Sequence, residues 1–82
     1  MYLIVRVIWI DSHQFNDWRE NAVQVALART LSLTCETTGY LVLDEPDRVG
    51  IAQSISEDGN MSEVMVIPRV AITEIEELHV GQ

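Results

Sequence analysis

Leu3, Val5, Val7 and Trp9 alternate with Tyr2, Ile4, Arg6, Ile8 and Ile10, so a strand over residues 2–10 is apolar on both faces and needs cover beyond water. Asp11-Ser12-His13-Gln14 breaks this run. Asp17-Trp18-Arg19-Glu20 then has the spacing of a capping box, with Asp17 as N-cap and Glu20 reaching back, which predicts a helix of about three turns. On it Trp18, Ala22, Val25, Ala26 and Arg29 share one side, with Val23 and Leu27 stacked beside them. This pattern predicts a packing helix that covers the barrel or the first strand.

From Leu31 the period changes to two, with Leu31, Leu33 and Cys35 on one face and Ser32, Thr34 and Glu36 on the other. Thr37-Thr38-Gly39 interrupts the strand before Tyr40-Leu41-Val42-Leu43 resumes, and Gly39 marks a bulge or bend. Asp44-Glu45-Pro46-Asp47 has turn chemistry. A strand through Val49, Ile51 and Ile55 follows, then a hairpin at Asp58-Gly59-Asn60 and a strand from Met61 to Ile67 that Pro68 ends. Ile72, Ile75 and Leu78 punctuate an acidic stretch, which predicts a short, partly exposed last strand protected by its own charges. Together these elements predict one domain over residues 1–82, mainly β with one helix after the first strand. Five strands, one sharp bend and tight turns point to a small, partly open barrel.

Thr38-Gly39-Tyr40-Leu41, a turn acid at Asp44 or Asp47 and the Val49/Ile51 strand resemble the first Sm motif, and Ile67-Pro68-Arg69-Val70-Ala71-Ile72 is similar to the second. The wider pattern of Trp9-x-Asp11-Ser12, Trp18, Thr38-Gly39-Tyr40, Ala52-Gln53-Ser54, Ile67-Pro68-Arg69 and Ile72-x-x-Ile75 resembles small phage and prophage proteins with an Sm-like (SH3-type) barrel. That resemblance spreads over most of the chain. It implies a homo-oligomeric ring, in which edge strands of neighbouring subunits pair around an axis, with nucleotide or single-stranded nucleic-acid binding near the loops. Arg69 is the residue it carries over as a ligand contact.

At 82 residues there is room for one small core and none for a multi-lobed enzyme. Cys35 is the only cysteine and there are two histidines, so neither an internal disulfide nor a structural zinc site staples the domain. Self-association is the remaining remedy for so small a core. Thirteen carboxylates against five arginines and no lysine give a net charge of -8, which opposes binding to generic duplex DNA and to anionic membranes. The apolar start lacks a basic leader and is too short to span a bilayer, so the expectation is an intracellular, soluble protein in the cytoplasm of a bacterial host.

Asp11, Ser12 and His13 have the residue types of a hydrolase triad, but neighbours in sequence rarely converge as base and nucleophile, so a polar loop and a non-enzymatic protein without cofactor or metal are expected. Cys35 is in phase with Leu31 and Leu33 and reads as a buried thiol, and Trp9 and Trp18 read as core. The ligand-binding candidates are Arg69, Arg48 and Asp47 at the turns, Tyr40 at the barrel corner and His13 in the polar loop. Two functions are open: a ring that presents these residues to a nucleotide-like or oligonucleotide ligand, and an acidic phage-type inhibitor that binds a host defence protein.

Overall fold

Alternating apolar residues become strands wherever one face can be buried, and in the computed structural model of the chain five stretches do so. The structure describes residues 2–11, 18–30 and 33–79. The strands are β1 (Ile4–Asp11), β2 (Leu33–Asp44), β3 (Arg48–Ile55), β4 (Met61–Pro68) and β5 (Ile72–Leu78), with one helix, α1 (Asn21–Thr30), between β1 and β2 in chain order. A short 3-10 turn, Arg69–Ala71, separates β4 from β5.

All neighbouring strands are antiparallel and form one sheet in the order β4-β3-β2-β1-β5. The sheet curls without closing, so among the described residues neither β4 nor β5 carries a strand on its outer side. Its concave face holds the core: Val5 and Val7 from β1, Val49 and Ile51 from β3, and Ile67 from β4, with Trp9, Leu41, Ala71 and Ile72 packed around them. Among the described residues, every buried apolar side chain comes from a strand.

The long strand β2 serves two partners. Leu33 to Tyr40 pair with β1, whereas Tyr40 to Asp44 pair with β3, and the register shifts between Leu41 and Leu43. Gly39 stands at this handover. Its backbone is not left-handed; what it needs is room, because a Cβ there would meet the carbonyl oxygen of Ala52 at 2.6 Å and Cγ2 of Ile51 at 2.7 Å. The Asp58-Gly59-Asn60 hairpin forms as expected, with Gly59 at φ 88° and the Gly59 N–H donating to the Ser56 carbonyl at 2.9 Å.

The covering role expected of the helix is not realised. The β1–β2 ladder ends at the pair Asp11 and Leu33, so α1 belongs to the connection beyond the end of that hairpin, and none of the core residues lies on it. Val23 and Val25 are exposed and Trp18 is wholly so, which corrects the reading of Trp18 as core. The molecule is accordingly elongated, about 53 Å by 25 Å by 25 Å. Asp17, the expected N-cap, and Leu31 lie outside the described residues. No described helix is long and apolar enough to cross a membrane.

Candidate functional site

Four of the five residues singled out from sequence are among the described residues; His13 lies outside them. Pro68 ends β4, as its missing N–H dictates, and the following 3-10 turn aims Arg69 back at the turn between β2 and β3. There the Arg69 Nε donates to the Glu45 carbonyl at 2.7 Å, and a terminal nitrogen of the same guanidinium forms an ion pair with Asp44. The Arg69 backbone N–H donates to the Asp47 carbonyl at 2.9 Å. The carboxylate that Arg69 meets, Asp44, lies 25 residues earlier in the chain.

Arg48 reaches the same corner from β3, where it stands opposite Pro68 of β4. Its Nε and a terminal nitrogen donate to the two carboxylate oxygens of Asp47 at 3.2 and 2.9 Å. This forked bond holds the Asp47 carboxyl below its ordinary value and, with the Asp47 charge second, raises Arg48 in turn. A shallow cavity of about 210 Å³ opens beside the pair, lined by Asp47, Arg48, Val66 and Pro68. The structure thus brings Arg69, Arg48 and Asp47 together at one end of the sheet.

Tyr40 is set apart from that corner. It lies half-buried in mid-sheet, with Ile4 of β1 on one side and Ala52 of β3 on the other, at the point where β2 changes partners. Trp9 is half-buried on the concave face, and its indole N–H donates to the Thr37 hydroxyl at 2.9 Å. The Thr37 hydroxyl lies 3.8 Å from Sδ of Met65, so β1, β2 and β4 are linked across the curl of the sheet. Cys35, on the same face as Trp9, is half-buried rather than fully enclosed.

Two features escaped sequence reasoning. One is a cavity of about 270 Å³ at the β3–β4 hairpin, lined by Ser54, Ile55, Ser56, Asn60, Met61 and Ser62. Beside it the Ser56 hydroxyl donates to the Asp58 carboxylate and is the main cause of that carboxyl being held below its ordinary value. The Ser-x-Asp-x-Asn spacing was the available signal, since such turn residues bond their own loop. The other is Arg6 on the convex face of β1, ion-paired to Glu36 of β2 and, at 3.4 Å, to Glu76 of β5. Only the strand order makes those two acids its neighbours.

As chemistry, the corner offers two guanidinium groups, each paired with one carboxylate (Arg69 with Asp44, Arg48 with Asp47), and a third acid, Glu45, that leaves the cluster with one net negative charge. Among the described residues no group of three or more His, Cys, Asp or Glu side chains is placed to hold a metal ion. Compared with protein-family models, curated proteins and solved structures, the chain matches none of them.

Proposed function

We propose that the protein is a non-enzymatic, Sm-like binding module that assembles with copies of itself through the open edges of its sheet, the ring being the form implied by its sequence motifs. Each subunit would present the Arg48 and Arg69 corner to a phosphate-bearing ligand, a nucleotide or a single-stranded oligonucleotide. The observation that carries this reading is the open antiparallel sheet in the order β4-β3-β2-β1-β5, with only a three-residue 3-10 turn between its two edge strands. An uncovered edge is a template for another strand, and a core of so few buried side chains gains from one. Two arginines on adjoining elements add a corner that can turn toward phosphate once a ligand competes for them.

The test is light scattering at micromolar concentration together with a salt-titrated binding assay against a labelled single-stranded oligonucleotide and against a nucleoside triphosphate. Assembly plus salt-sensitive binding that weakens in Arg69→Ala supports the reading; a monomer that binds neither probe sinks it.

A second reading, the acidic inhibitor of a host protein, is favoured by one observation. Arg6, Arg48 and Arg69 each pair with a carboxylate of the same chain, so the sheet turns a net acidic surface outward. Such a surface suits a basic protein face that otherwise meets nucleic acid. In the same assay this reading requires that both phosphate probes fail to bind.

A further inference from the structure

We infer that β4 is a self-recognition edge: two copies of the chain join by antiparallel pairing of their β4 strands about a two-fold axis, and the assembly stops at the dimer. This rests on the edge assembly proposed above but replaces the ring implied by the motifs with a two-fold dimer, because a β4–β4 pair leaves no β4 edge free for a third copy.

Edge strands are normally guarded by charge, proline or irregular backbone, and the two edges of this sheet are guarded very differently. β5 carries Glu74, Glu76 and Glu77 within seven residues. β4 carries only Glu63, and next to it Val64, Met65 and Val66 are 48%, 43% and 54% exposed in succession. Val64 and Val66 share the convex face, while Met65 lies on the concave one beside Thr37. Along an edge strand every second N–H and C=O points away from the neighbouring strand, here outward from β3. Glu63, with a left-handed φ of 54°, leaves strand geometry at one end of this segment, and Pro68 lacks a donor at the other. The unguarded ladder is therefore Val64 to Ile67.

Charge selects the partner. The chain carries -8 overall, and neither edge strand contains a lysine or arginine. Two β5 strands side by side would gather six carboxylates, β4 against β5 four, and β4 against β4 only two. Arg6, which reaches β5 from β1, does not reverse this order, because it is shared between Glu36 and Glu76. Near β4 the cations are Arg48 of β3, opposite Pro68 and balanced by Asp47, and Arg69 of the turn that follows β4, balanced by Asp44. A two-fold axis normal to the sheet keeps convex face with convex face, so Met65 meets its own copy at the axis and Val64 of one copy lies opposite Val66 of the other. The continuous sheet then ends in an acidic β5 on both sides, and like charge stops it growing.

The experiment uses the full chain. Light scattering should give twice the 9.3 kDa chain mass. The double variant Val64→Lys, Val66→Lys should run as a monomer with an unchanged circular dichroism spectrum, while Ile75→Lys on β5 stays dimeric. In a Cys35→Ser background, Met65→Cys should form a disulfide-linked dimer on mild oxidation, since directly opposed residues of antiparallel strands have Cα atoms about 4.5–5.5 Å apart, within disulfide reach. A monomeric parent overturns both this inference and the edge assembly beneath it. A larger closed assembly, or a dimer that Ile75→Lys breaks, overturns β4 pairing alone. If the lysine variant does not fold, the cysteine variant decides, and absence of the cross-link overturns the inference.

Discussion

The guanidinium of Arg69 and the carboxylate of Asp44 form an ion pair that ties the 3-10 turn after β4 to the end of β2. With the bond from Arg69 Nε to the Glu45 carbonyl, one side chain holds the turn that carries Asp47 and Arg48. Arg69 is thus a strap within the free protein, whatever else it meets.

Arg69→Ala should therefore lower stability, by about 1 kcal/mol or less because the pair is partly solvated. Arg69→Lys should restore only part of this, since an ammonium cannot reach the carboxylate and the carbonyl with one rigid fork. Urea unfolding of the three proteins checks the order; equal midpoints would show that the strap bears no strain.

Gly39→Ala should cost about 1–3 kcal/mol, because its Cβ would press on the backbone carbonyl of Ala52, which has no side-chain freedom with which to retreat. Gly59→Ala meets no atom within 4 Å and should suffer only the penalty of a left-handed backbone, about 1 kcal/mol. Thermal unfolding should rank Gly39→Ala below Gly59→Ala.

Asp47 and Asp58 have carboxyls held below the ordinary value, so each binds its proton less readily in the folded chain than in the unfolded one. Their contribution is complete above the unfolded value, near 3.8, and is lost as pH falls through the lower folded values. Ser56→Ala removes the main cause of the Asp58 shift and should make the urea midpoint fall less steeply below about pH 4. A parent and variant with parallel acid profiles would contradict this.

Trp18 is wholly exposed and Trp9 is half-buried with its N–H bonded to Thr37. Trp9→Phe, which leaves Trp18 as the reporter, should fluoresce with strong acrylamide quenching; Trp18→Phe should be quenched less and melt as the parent does. Equal quenching would place both indoles in the same environment.

Random duplex DNA should show no measurable binding at physiological salt, because the chain carries -8 and its sheet arginines are already paired. A submicromolar dissociation constant in fluorescence anisotropy would reverse this use of charge.

The strands follow from local information. Period-two alternation through Val5, Val7 and Trp9, and again through Val49 and Ile51, specifies extended chain with one buried face, and Gly59 and Pro68 punctuate it for reasons internal to the backbone. The mainly β class with five strands and one helix was therefore readable in one dimension. The same periodicity misjudged α1, because a helical stripe states which side is apolar and not whether a surface awaits it; the strands fill the concave face by themselves, and Trp18 is left in water. The interruption expected at Thr37-Thr38-Gly39 does not occur: β2 runs unbroken through Gly39, its register shifts between Leu41 and Leu43, and what sets Gly39 apart is the approach of Ala52, thirteen residues further along the chain. Likewise Arg69 finds Asp44 rather than the nearer Glu74, and Arg6 finds Glu36 and Glu76, because strand order brings distant residues within a few ångströms. Local sequence determines what each segment can form, whereas ion pairs, close approaches and open edges are properties of neighbours in space, and only the folded sheet decides who those neighbours are.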